Sequence, residues 1–168
     1  AVSSWLIAKE SYKKINKLFI KNQTLKLTNI MNSKKINNLI FLNYSTELKN
    51  FLFWCQQLIA ESLGKKSRGF LPVVSNDPKD HHSLLQLYLD GPKDKVFNIF
   101  SLNSKSSETI KVNYSDDSTN FLNKKKLSVV KNAQKNSLMK SFIKKGIPFR
   151  EFQIKRINEE ALGELFSF

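Results

Sequence analysis

The 168-residue sequence is poor in cysteine, glycine, proline and histidine: one Cys, five Gly, four Pro and two His. A single cysteine, Cys55, permits no internal disulfide and suits a reducing compartment. Two histidines and one cysteine, scattered and without a Cys/His cluster, cannot build a typical zinc site, so no metal is expected. So few glycines leave no dinucleotide fingerprint and no phosphate-cradling Walker loop. A G-x-S-x-G nucleophile elbow is absent too. No cofactor is implied. No stretch of about 18 apolar residues occurs, so no membrane span is expected. The opening AVSSWLIAKE carries no basic leader and no cleavage pattern, so it does not read as a signal peptide.

Arginine is also scarce. The net charge is +14, but 25 of the 28 basic residues are lysines. A field of this sign could attract a polyanion. Arginine, however, is the bidentate reader of phosphates and bases. The lysines are scattered, and asparagine is abundant beside them. The longest basic run, Lys124–Lys126, lies in a polar connection. A solvated lysine-rich surface is therefore the better reading; a nucleic-acid partner is not expected. A small phosphorylated anion remains compatible with the charge.

What the sequence does contain is enough apolar material for a core, 40% including 13 Phe, in segments of alternating type. Residues 1–33 read as helical in two pieces, the first with Trp5, Leu6, Ala8, Tyr12, Ile15, Leu18 and Phe19 near a period of 3.6, the second over Thr24–Asn32. Ile36–Leu42 is a compact apolar run, best read as a buried strand. Ser45 is a fair N-cap for a helix reaching Leu63, with Glu47 in its first turn and Gly64 as its stop. Leu48, Phe51, Leu52, Cys55, Leu58 and Ile59 form its apolar face, which makes Cys55 a core filler rather than a nucleophile. Gly69–Ser75 is a second strand, and Pro72 argues that it is an edge or a bulge. Asn76–Asp80 is a loop whose Asp80 can cap a helix from His81 to Gly91. Val96–Leu102 is a third strand, and Thr109–Val112 is a candidate short extra one. Tyr114–Lys126 is polar and irregular. Ser128–Lys145 is a long helix with Val129, Val130, Ala133, Leu138, Phe142 and Ile143 on one side. Pro148–Ile154 is a fourth strand, and Asn158 caps a last helix.

Strands alternating with helices predict an α/β fold: a three-layer, mostly parallel sheet flanked by helices, flavodoxin-like, as one domain over residues 1–168. Ligands of such sheets sit beyond the carboxyl ends of the strands. The Asp80–His82 loop follows a strand and so lies on that rim. Glu61 ends a helix, where the dipole disfavours an ionised carboxylate and so favours a proton acceptor. His82 opens one, where an imidazolium is disfavoured and a neutral ring can pass protons. Gln57 shares a helical face with Glu61. A Glu and a His so placed suit proton transfer on a charged small molecule. Each alone is more often a surface group, and spacing does not say whether the two meet in one chain or across two.

The stretch from Gln56 to Gly91 resembles the glucose-6-phosphate isomerase family, in its shorter bacterial branch. Gln57-Leu-Ile-Ala-Glu61-Ser62-Leu-Gly64-Lys65 is similar to that family's Glu-Ser-x-Gly-Lys segment with a Gln one turn earlier. Asp80-His81-His82-Ser83-Leu84-Leu85-Gln86-Leu87 is similar to its Gln-His-x-x-x-Gln-Leu segment, except that His81 stands where many relatives have Gln. Phe149–Phe152 and Asn158–Phe166 resemble the strand and helix before its C-terminal motif. The resemblance implies a sugar isomerase (SIS) domain, most of the second of two, truncated at both ends. It implies a cytoplasmic enzyme of glycolysis and gluconeogenesis that interconverts glucose 6-phosphate and fructose 6-phosphate through a cis-enediol. Glu61 would be the base, His82 would assist ring opening, and Gln57 would contact the sugar. A homodimer is implied, with His82 acting in the partner's site. The family's phosphate-binding Ser/Thr loop and active-site Arg would lie upstream, and its C-terminal Gln and Lys downstream. The fragment alone would then be inactive. The alternative is a non-catalytic sugar-phosphate-binding SIS module.

Overall fold

The computed structural model describes residue 10 and residues 17–33, 35–67, 69–103, 108–111 and 121–166. Four strands form the sheet: β1 (Asn38–Asn43), β2 (Leu71–Asn76), β3 (Lys95–Leu102) and β4 (Phe149–Ile154). Their order is β2-β1-β3-β4 and every pairing is parallel. The helices are α1 (Lys17–Ser33), α2 (Lys49–Leu63), α3 (His81–Asp90), α4 (Leu127–Lys145) and α5 (Glu159–Leu165). The α/β class and the flanked parallel sheet are as the alternating pattern predicts.

Strand alternation divides the core in two. Leu39 and Phe41 of β1 with Val96 and Phe100 of β3 face one side, where Leu48, Leu52 and Ile154 complete a cluster against α1, α2 and α5. Ile40, Leu42, Phe97 and Ile99 face the other, where Tyr88, Leu138 and Phe142 bring in α3 and α4. Because β1 is covered on both faces it reads as one apolar run. β2 is an edge strand, and that is where Pro72 belongs.

Several local expectations are corrected. Ser45 does not cap α2. Its hydroxyl donates to Glu47 Oε2 at 2.6 Å, and a 3-10 turn over Thr46–Leu48 precedes the helix. Leu58 is not on the buried face of α2; it is 40% exposed. On α4, Val129 and Ile143 are exposed, while Lys135 joins Leu138 and Phe142 on the buried line. The helix expected in two pieces is continuous over Lys17–Ser33, so the polar residues Lys21–Gln23 do not break it; residues 1–9 and 11–16 lie outside those described. Of the extra strand, Thr109 makes one isolated antiparallel bridge to Lys126, and Val112 is outside the described residues.

Other stops and starts follow the chemistry. Gly146 ends α4 in the left-handed region at φ 63°, where glycine carries no Cβ penalty. Asn158 caps α5, its side chain accepting from the Ala161 N–H at 2.9 Å.

Candidate active site

Gln57 and Glu61 lie on the last turns of α2. The Gln57 side-chain amide donates to Glu61 Oε1 at 2.9 Å, and both side chains are exposed. Their neighbour Gln56 turns inward instead and donates to the Pro72 carbonyl at 2.8 Å. That bond ties the middle of α2 to the start of β2 and leaves the adjacent pair facing outward. Gly64 then ends the helix. A Cβ there would fall 2.4 Å from the Ala60 carbonyl oxygen, so only glycine fits.

His82 opens α3 at the opposite end of the sheet. The loop before it is held by Asp80, whose carboxylate accepts from the Asn76 N–H at 2.7 Å and the Ser75 hydroxyl at 3.2 Å. Asp80 therefore fastens the turn and makes no side-chain cap to the helix, contrary to expectation. His82 is exposed on the rim, and the preceding His81 turns in.

The structure brings Gln57 and Glu61 together but not Glu61 and His82. The helix between parallel strands β1 and β2 runs back against them, so its end, with Glu61, reaches the amino-terminal rim. His82 follows β2 on the carboxyl-terminal rim. A six-residue strand separates the two levels, about 17 Å at the usual rise per residue.

The carboxyl rim also holds a cluster that sequence reasoning missed. Tyr44 follows β1, and its hydroxyl lies 2.7 Å from His81 Nε2. Asp77 Oδ1 approaches the same nitrogen at 3.4 Å. The Asp77 side chain is fully buried, and among the described residues neither of its carboxyl oxygens has a hydrogen-bond partner. Burial, and secondarily the charge of Asp80, push its pKa up to about 8. Burial also lowers His81, with the Asp80 charge pulling the other way. Tyr44 is raised, first by burial and then by Asp77. Contact at 3.4 Å would suit an ion pair, but both shifts favour neutral partners, and burial without hydrogen bonds to the carboxylate supports the neutral form. The signal in the sequence was the Asp77/His81 spacing of four residues across a helix start.

Two further polar features stand within the layers. Lys135 is 3% exposed; its ammonium donates to the Ser101 hydroxyl at 3.0 Å and pairs with Glu151 at 2.5 Å. The Cys55 thiol is half-buried and burial pushes it up to about 11, which suits packing rather than nucleophilic attack. Among the described residues no group of three or more His, Cys, Asp or Glu could hold a metal ion, and no helix is long and apolar enough to cross a membrane.

Over 132 residues the chain is 38% identical to a glucose-6-phosphate isomerase of Mycoplasmopsis synoviae, covering 77% of this chain and 31% of that protein. It is 34% identical over 126 residues to one of Methanocaldococcus jannaschii, covering 75% and 31%. This chain is related to the glucose-6-phosphate isomerases. A relative of that description in Fusobacterium nucleatum is 30% identical over 167 residues, 96% of this chain and 37% of that protein. The chain thus spans about a third of the length of the relatives it matches. A hypothetical protein of Thermus thermophilus shares the fold, with a TM-score of 0.77 over 96% of this chain and 41% of that one, at 21% identity. No family model matches the chain.

Proposed function

We propose that these residues serve an aldose–ketose isomerase that interconverts glucose 6-phosphate and fructose 6-phosphate. The observation that carries the reading is the exposed Gln57–Glu61 pair, 2.9 Å apart on one helix face, in a chain related to proteins named for that reaction. Glu61 takes the proton from C2 of the open-chain sugar and returns it to C1, passing through a cis-enediol, while O1 gains a proton and O2 gives one up. A well-placed carboxylate suffices for a proton next to a carbonyl. Gln57 holds one oxygen of Glu61 and contacts the sugar, which orients the other oxygen toward carbon. His82 assists opening of the ring.

The separation of Glu61 from His82 by the length of a strand supports a dimer in which each His82 acts in the partner's site. A two-fold axis lets one end of a domain meet the other end of its copy. The remaining contacts, including those to the phosphate, belong to the longer protein that carries these residues.

The test uses that longer protein in a coupled assay. Glu61→Gln is expected to remove turnover and spare sugar-phosphate binding. Mixing Glu61→Gln with His82→Ala subunits, each inactive alone, should restore about a quarter of the activity, because half the random dimers hold one intact site. Turnover surviving in Glu61→Gln would refute the base assignment. Sugar-phosphate binding without turnover in the unmutated protein would make the chain a binding module.

A further inference from the structure

The sheet face covered by α1 and α2 holds a cavity of about 280 Å3. Its walls are apolar, with Leu27 from α1, Ile59 from α2, Phe41 from β1 and Phe100 from β3. Four polar side chains interrupt them: Thr24 and Thr28 of α1, and Asn98 and Arg150, which are register partners on β3 and β4. Arg150 Nε donates to Asn98 Oδ1 at 3.0 Å, and its guanidinium carbon lies 5.3 Å over the Phe152 ring. These two contacts fix the plane of the guanidinium; among the described residues its terminal nitrogens have no partner, and they are not sealed from solvent. No carboxylate pairs with Arg150 among the described residues. The adjacent acid on β4, Glu151, faces the other layer and is held by Lys135. Desolvation accordingly lowers the Arg150 pKa, with no neighbouring acid to offset it.

A half-buried cation with no carboxylate beside it among the described residues favours a ligand that supplies one. A rigid guanidinium fork matches a carboxylate in bidentate fashion. We propose that this cavity binds a small amphipathic carboxylate, with its headgroup on Arg150 and its hydrocarbon tail among Phe41, Phe100 and Ile59. At about 30 Å3 for each water-sized group, the volume holds about nine heavy atoms. That is the size of a medium-chain fatty acid, and it makes octanoate the probe. The proposal requires nothing of the isomerase reading.

Cys55 lines the same cavity and is the one cysteine of these 168 residues; its maleimide labelling, located at Cys55 by peptide mass mapping, reports occupancy. Calorimetry and labelling are run together on the intact chain. Octanoate is expected to bind once per chain and to slow Cys55 labelling. Octanol, which has the tail without the charge, should bind at least tenfold more weakly, as should octanoate to Arg150→Gln. The unliganded labelling rate of Arg150→Gln reports whether that variant is folded. Thr28→Trp, at the exposed mouth, should block octanoate with Arg150 intact. The proposal is overturned if octanoate binds no better than octanol, if it binds Arg150→Gln or Thr28→Trp undiminished, or if it leaves Cys55 unprotected. Should Arg150→Gln fail to fold, the octanol comparison and Thr28→Trp decide.

Discussion

Replacing Asp77 with asparagine should stabilise the protein at neutral pH, and the gain should grow as pH rises. Asp77 is fully buried, its two oxygens lack hydrogen-bond partners among the described residues, and its pKa stands at about 8 against an ordinary 3.8. Its folded pKa is raised, so the stability of the neutral form is fully present below about pH 4 and is lost as pH climbs through about 8. Each pH unit in that window costs about 1.4 kcal/mol. At pH 7 the interval is roughly three units, so ionisation of the unfolded chain has removed about 4 kcal/mol relative to the fully protonated state. Asparagine keeps the shape and cannot ionise. His81 complicates the acid side. Its pKa is lowered, so the unfolded chain binds the extra proton and stability falls as pH drops below its ordinary 6.5. Between pH 6.5 and 8 the Asp77 contribution is therefore the cleaner one. Urea unfolding of the chain and of Asp77→Asn across that range should give a stability difference that changes by about 1.4 kcal/mol per pH unit. Parallel stability curves for the two proteins would show that Asp77 is already ionised in the fold, and the argument from burial would fail.

The ion pair of buried Lys135 with the more exposed Glu151 should respond asymmetrically. Glu151→Gln leaves an uncompensated ammonium that is 3% exposed and should lower the urea midpoint, by up to about 3 kcal/mol equivalent, whereas Lys135→Met replaces it with apolar volume and should cost far less. Equal losses would mean the pair is solvated. Phe142→Ala removes a fully buried ring that packs 4.6 Å from Phe97, centroid to centroid, and should cost about 3–5 kcal/mol in the same assay; a loss under about 1 kcal/mol would show that α4 collapses into the space.

The sheet was legible where burial imposes a pattern. The Ile36–Leu42 run is read as a strand because β1 is covered on both faces, and Pro72 marks the edge because an internal strand needs the N–H that proline lacks. Helix starts were legible only where the capping side chain had no competing hydrogen-bond partner. Asn158 caps α5, but the Ser45 hydroxyl is taken by Glu47 and the Asp80 carboxylate by the Asn76 N–H. Lys135 was missed because apolar residues define a helix face in sequence, and a buried lysine that finds Glu151 and Ser101 on two strands leaves no apolar mark. Tyr44 and His81 meet across a difference of 37 positions, a proximity set by the parallel register of β1 and β2. Local spacing carries no trace of it.

The positions of Glu61 and His82 follow from topology more than from residue spacing. In a right-handed β-α-β unit the helix returns along the strand it left, so a residue on the helix's last turn lies at the rim where the first strand began. A residue at the start of the next helix lies at the rim where the second strand ends. Glu61 satisfies the first condition and His82 the second. Shifting either by a residue or two turns its side chain to another face but does not change its rim. A reaction needing both therefore draws them from two copies, or draws its second group from outside these 168 residues. The subunit-mixing experiment separates these cases: recovery of about a quarter of the activity requires the two-copy arrangement, and no recovery leaves Glu61 paired with a group other than His82.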